Sequence, residues 1–146
     1  MAGYIDGFVI PVPKRNIAAY KRMARRAGKV WREHGALDYV ECMADDVKSG
    51  KLTSFPQAVK LKKHEVVWCS FIHYTSRAHR DRVNAKVMKD PRLADMMNMK
   101  DMPFDGKRMF WCGFKVAVRL ERPRSPSTSP GKSAPAISAW RGAQRG

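Results

Sequence analysis

The chain has 146 residues, with 29 Lys and Arg against 13 Asp and Glu for a formal charge of +16, and 44% of its residues are hydrophobic. A length of this order fits one domain and excludes a second full one, and the apolar content excludes a chain disordered throughout. The charge points first to a polyanionic partner such as nucleic acid.

The opening residues, Met1 to Gly7, lack the basic and apolar regions of a secretory signal, so a cytoplasmic location is expected. Tyr4 to Val12 is rich in β-branched and aromatic residues and predicts a first strand, closed by Pro11 and Pro13. From Lys14 to His34 apolar residues recur at Ile17, Tyr20, Ala24, Ala27 and Trp31, the spacing of one buried helix face, and Gly35 stands where a left-handed C-cap is needed. The opposite face is basic: Lys14, Arg15, Lys21, Arg22, Arg25, Arg26, Lys29 and Arg32. Leu37 to Ala44 predicts a second strand ended by Asp45-Asp46, followed by a polar connection too long for a tight hairpin. Glu65 to Tyr74 is the third strand. Its apolar stretch Val66 to Ile72 is broken by Ser70 and falls far short of the ~20 residues that cross a bilayer, so no membrane partner is expected. Ser76 caps a helix from Arg77 to Lys89, and Asp90-Pro91 starts a shorter helical piece with an N-cap followed by proline. Met96, Met97, Met99 and Met102 suit an irregular packed segment, and Arg108 to Leu120 is the last strand. From Arg122 to Gly146 the chain turns to Pro, Ser and Gly with five basic residues and no acid, which predicts a disordered basic tail and leaves a domain over residues 1–121 with a net charge of +11.

The order is β-α-β-β-α-β. It predicts an α+β, ferredoxin-like fold in which two helices cover one face of a four-stranded antiparallel sheet. A sheet with one wet face alternates apolar and polar residues, and these strands do not. The third strand sets Val67, Cys69, Phe71 and His73 against Trp68, Ser70, Ile72 and Tyr74; the last sets Phe110, Cys112, Phe114, Val116 and Val118 against Met109, Trp111, Gly113 and Ala117. Both sets are largely apolar, so something must cover the face that the helices leave, and a second copy packed sheet to sheet is the economical cover. Cys42, Cys69 and Cys112 are odd in number and widely spaced, which favours buried reduced thiols over disulfides or a zinc cluster.

A set of segments carries a resemblance. Asp6-Gly7-Phe8-Val9, Pro11-Val12-Pro13-Lys14, Gly28-Lys29-Val30-Trp31, Glu33-His34-Gly35-Ala36-Leu37, Tyr39-Val40-Glu41-Cys42, Thr53-Ser54-Phe55-Pro56, Ser76-Arg77-Ala78-His79-Arg80-Asp81, Val83-Asn84-Ala85-Lys86-Val87-Met88, Asp90-Pro91-Arg92, Met102-Pro103-Phe104-Asp105-Gly106-Lys107-Arg108-Met109 and Gly113-Phe114-Lys115 resemble the bacterial YbaA-like family, domain of unknown function 1428, over residues 3 to about 120. The resemblance implies a dimeric α/β-barrel, ferredoxin-like in each subunit, with no established activity. Its parent superfamily includes cofactor-free monooxygenases, haem enzymes and small-molecule binding proteins, so the fold does not settle the function. The chain departs from the family in its tail and at Trp111-Cys112.

Candidate site residues are few. His73, near the end of a buried strand, is the histidine that a barrel interior would present as a general base, against the plainer role of a structural histidine. Asp6 and Glu41 interrupt apolar strands and need partners if buried, for which Lys107 and Arg108 at the start of the last strand are the candidates. Trp68, Asp105 and Arg108 complete the candidate ligand contacts, the last two in a loop at the barrel mouth. His34, before Gly35 at a helix end, suits a capping cation. No CxxC, HxxxH or clustered carboxylates indicate a metal, no glycine-rich phosphate loop appears, and no cofactor is expected.

The expected protein is therefore a cytoplasmic homodimer with a small-molecule site between sheet and helices or at the barrel mouth, supporting cofactor-free oxidation or isomerisation; a cavity touching His73 or Asp6 would favour this reading. The alternative is a non-catalytic module that binds RNA or another polyanion through the basic helix and tail. It is disfavoured because the third strand lacks the basic-Gly-aromatic signature with which RNA-recognition sheets stack bases.

Overall fold

The β-branched and aromatic run near the N-terminus forms strand β1, Tyr4–Pro13, in the computed structural model, which describes residues 3–98, 100–121 and 123. A short 3-10 turn, Lys14–Asn16, leads into helix α1, Ile17–Glu33, and Gly35 takes φ +116° as the left-handed residue that ends it. Strand β2, Asp38–Met43, then runs along the sheet edge. Strand β3 is Glu65–Tyr74, helix α3 is Arg77–Met88 with Ser76 Oγ accepting from the His79 N–H at 3.1 Å, and helix α4 is Pro91–Met97 with Asp90 accepting from the Arg92 N–H at 3.0 Å. Both expected caps are present. The expected tail, 122–146, lies outside the described residues apart from Pro123.

Two elements differ from expectation. A four-residue helix α2, Phe55–Ala58, stands in the long connection between the second and third strands, where no helix was expected; it is too short for a periodic signal, but Ser54 caps it and Pro56 sits in its first turn. Strand β4 is Phe110–Lys115, shorter than the expected Arg108 to Leu120. Its partner sets the limit: Lys115 pairs with Tyr4, where β1 begins, and one further bond, Val116 N–H to Gly3 O, ends the ladder. At the other end the N–H groups of Arg108 and Met109 both turn back to the Asp105 carbonyl.

The sheet order is β2-β3-β1-β4 with every neighbouring pair antiparallel, the ferredoxin-like arrangement expected from the element order. The helices cover one face. There Tyr4, Ile72 and Tyr74 pack with Val30, Val83, Val87, Leu93 and Met96, while Ile10, Val12 and Trp68 pack with Tyr20 and Ala24. Helix α1 approaches the edge strand closely at Gly28, where an added Cβ would lie 2.8 Å from Cδ1 of Tyr39.

The pairing register places three rungs of side chains on the opposite face: Cys42, Cys69, Val9 and Phe110; Val40, Phe71, Gly7 and Cys112; Asp38, His73, Ile5 and Phe114. At about 4.8 Å between strands and 7 Å between same-face residues, this surface is about 400 Å² in plan. It is apolar apart from Asp38 and His73, and no element of the described chain covers it: Phe110 is 45% exposed and Phe114 60%. The three cysteines, expected to be buried, are all free and exposed here, because every one of them faces away from the helices. Among the described residues, no helix is long and apolar enough to cross a membrane.

Candidate functional site

Alternation along β2 puts Tyr39 and Glu41 on the helix-covered face, and the register sets Glu41 beside Ser70 of β3. Tyr20, from the buried stripe of α1, reaches down to the same carboxylate. Its hydroxyl donates to Glu41 Oε2 at 2.8 Å, the Tyr39 hydroxyl donates to Oε1 at 3.0 Å, and Ser70 Oγ donates to Oε2. Burial, reinforced by the negative charge of Glu41, pushes both phenols above the usual tyrosine range, so they remain protonated donors.

This cluster forms the polar patch in the wall of a cavity of about 160 Å³ between sheet and helices. The rest of the lining is apolar: Phe8 and Ile10 from β1, Met23, Ala27 and Trp31 from α1, Leu93, Met96 and Met97 from α4, and Met102, Phe104 and Met109 from the segment before β4. A dry apolar cavity of about 150 Å³ holds one benzene-sized molecule, which sets the scale of what fits.

The sequence-predicted residues fall into separate places. Glu41 lies at the cavity. Asp6 is fully buried on the same sheet face but belongs to a different cluster, with Arg80 Nε at 3.5 Å and Asn84 Nδ2 at 3.5 Å. Desolvation raises its pKa, against the opposing pull of Arg80. Its expected partners are thus replaced: Asp6 pairs with Gly113 across the β1–β4 ladder, and Arg108 precedes the far end of β4. Arg108 instead grips Glu65 through both terminal nitrogens, at 2.7 and 2.6 Å, and donates through Nε to Asp105 at 2.8 Å and through Nη1 to the Val59 and Lys60 carbonyls. Glu41 likewise binds neither Lys107 nor Arg108; its donors are hydroxyls.

His73 stands on the open face between Asp38 and Ile5, and neither it nor Asp6 lines the cavity, so the contact that would favour either as a ligand residue is not made. Trp68 is buried against Tyr20 with ring centroids 4.7 Å apart, and its indole N–H has no acceptor. His34 is the C-cap residue of α1 and pairs with Asp90 at 2.8 Å, tying that helix end to the start of α4. Among the described residues, no three His, Cys, Asp or Glu side chains converge to hold a metal ion.

Sequence reading missed Tyr20, Tyr39 and Ser70. The i, i+2 pair Tyr39 and Glu41 on a strand was the available signal, since it forces both onto one face.

The model of the family described as "Protein of unknown function (DUF1428)" matches residues 3–106. The "Uncharacterized protein YbaA" of Escherichia coli K12 is 47% identical over 115 residues, 79% of this chain and 97% of the relative, and the YbaA of Shigella flexneri matches to the same extent. Among solved structures, a dimeric ferredoxin-like protein from an uncultured marine organism aligns over 84% of this chain and 100% of its own, with a TM-score of 0.49 at 9% identity.

Proposed function

We propose that this chain, which belongs to the DUF1428 family, acts as a homodimer that binds a small apolar molecule between its sheet and helices, with Glu41 as the polar anchor. The observation that carries this reading is the carboxylate held by three hydroxyls in the wall of an otherwise apolar cavity. A carboxylate has about four acceptor sites, and three are filled, so one is left for a ligand hydroxyl or N–H. The same groups support proton transfer. Glu41 would take a proton from the carbon beside a ligand carbonyl, and a hydroxyl it then releases would turn to the resulting enolate oxygen; return of the proton to a different carbon completes an isomerisation, and reaction of the enolate with dioxygen as oxidant begins an oxidation.

The nine methionines supply the test, because five of them, Met23, Met96, Met97, Met102 and Met109, line the cavity. In the chain labelled with carbon-13 at the methionine methyls, added toluene or phenol is expected to shift those five resonances and to leave Met43 and Met88 on the surface unmoved. Phenol should bind about tenfold more tightly than toluene, the worth of one hydrogen bond to a charged acceptor, and Glu41→Gln should reduce that preference. Methionine resonances that stay put at saturating concentrations of both would refute the reading.

The homodimer rests on the open face, whose extent matches the largest apolar patches of monomers, which commonly mark interaction sites. A second reading, phosphate-directed RNA binding, rests on the eight cations of the outer face of α1 and the turn before it, all of them exposed. RNA binding by a chain ending at residue 121 that weakens steeply as salt rises to about 0.2 M would favour it, since contacts to phosphates release counterions.

A further inference from the structure

We infer that the molecule taken into the cavity is an anion, with an apolar body about the size of one ring and an acidic group that lies outside the cavity against α1. The inference rests on the cavity reading above and adds the charge of the ligand. A second depression, a groove of about 650 Å³, runs between α1 and the edge strand and shares Tyr39 and Glu41 with the cavity wall. The two spaces therefore meet at that wall.

The groove is lined by Lys21, Arg25, Lys29 and Arg32, which recur every three or four residues and so form one row along α1. Arg32 donates to the Ala36 and Leu37 carbonyls, but among the described residues Lys21, Arg25 and Lys29 have no carboxylate partner. Against these four cations the groove holds two carboxylates, Asp38 and Glu41, so the surplus is positive. A row of cations beside an apolar slot recruits a molecule with both characters.

Trp68 supplies an independent observation. It lines the groove, it is only 3% exposed, and its indole N–H is a buried donor with no acceptor. Such donors are rare in folded proteins, and an anionic oxygen held in the groove would supply the acceptor that this one lacks if the indole turns to meet it.

The test compares phenylacetate with its neutral isostere phenylacetamide by calorimetry on the full chain at low salt, with toluene followed by methionine methyl shifts. Phenylacetate is expected to bind at least about tenfold more tightly than the amide, the worth of one charge-assisted hydrogen bond. Arg25→Gln, an exposed substitution that leaves folding intact, should remove most of that difference and leave the affinity for the amide unchanged. Trp68→Phe, which keeps the ring and removes the N–H, should weaken the acid alone. Equal affinity for acid and amide, or variants that weaken both equally, would overturn the anion while leaving the cavity reading in place, provided toluene still shifts the cavity methionines. Silence from toluene as well would overturn both.

Discussion

Arg108→Met is expected to destabilise the fold by about 3 kcal/mol, the cost of leaving a buried carboxylate without its partner. Glu65 is 5% exposed and meets the guanidinium through both of its oxygens, so the substitution strands a charge in a place that water barely reaches. Urea titration at neutral pH gives the measurement. The pH dependence fixes the cause: the hydrogen bonds from Arg108 hold the Glu65 pKa below the carboxylate range, so the stabilisation is present above the unfolded pKa of about 4.5 and is lost as pH falls through the lower folded value. The gap between parent and variant should therefore shrink below about pH 4.5, and a gap that persists into acid would disprove the electrostatic origin. Arg108→Met/Glu65→Leu should recover most of the loss, because a buried ion pair replaced by apolar groups is often neutral. The residue of about 1 kcal/mol is the Lys62 N–H, which donates to Glu65 at 2.8 Å and would lose its acceptor. The clamp also has a consequence at the site. Arg108 anchors the segment that carries Met102, Phe104 and Met109, so the single variant should loosen one wall of the cavity as well as the fold.

Val9→Glu should separate the proposed dimer without unfolding its subunits. Val9 lies on a central strand, in the rung with Cys69 and Phe110 on the uncovered face. In a two-fold interface the substitution buries a carboxylate from each partner, at several kcal/mol per unpaired charge, which raises the dissociation constant by about a thousandfold or more. In the separated subunit the same side chain meets water, so the far-ultraviolet circular dichroism should be unchanged. Sedimentation velocity at micromolar concentration reads the result. A monomeric parent, or a variant as dimeric as the parent, would sink the assembly. The cysteines provide a second reading, since Cys42, Cys69 and Cys112 all lie on this face. Alkylation should be slow in the parent and fast in the variant.

Strand and helix order was legible because each element carries its own signal: the β-branched and aromatic runs in β1 and β3, the three-and-four spacing in α1, and the caps at Ser76 and Asp90. The absence of a polar face on the strands also reads directly as an uncovered sheet surface. Partners at the site were not legible, because they depend on register. Asp6 and Arg108 belong to neighbouring strands or their flanks, yet pairing Asp6 with Gly113 sends Arg108 beyond the opposite end. The burial of cysteines was misjudged for a related reason. A free thiol is usually inside, but here pleat parity places all three on the side that a single chain leaves bare. Glu41 was found as an acid among apolar neighbours, whereas its hydroxyl donors come from α1, β2 and β3 and converge only in the folded chain.

Gly28 costs α1 about 1 kcal/mol relative to alanine at the same interior position. In return the Tyr39 ring rests where a methyl group would stand, and that ring belongs to both the cavity and the groove. The partition between the two compartments is thus seated on a missing carbon atom. Restoring the atom would move the partition, and with it the Tyr39 hydroxyl on Glu41, without touching the cationic row, so one position can alter the size of molecule admitted while the row that meets its acidic group stays the same. Admission and retention are then separate traits in this chain, open to independent change.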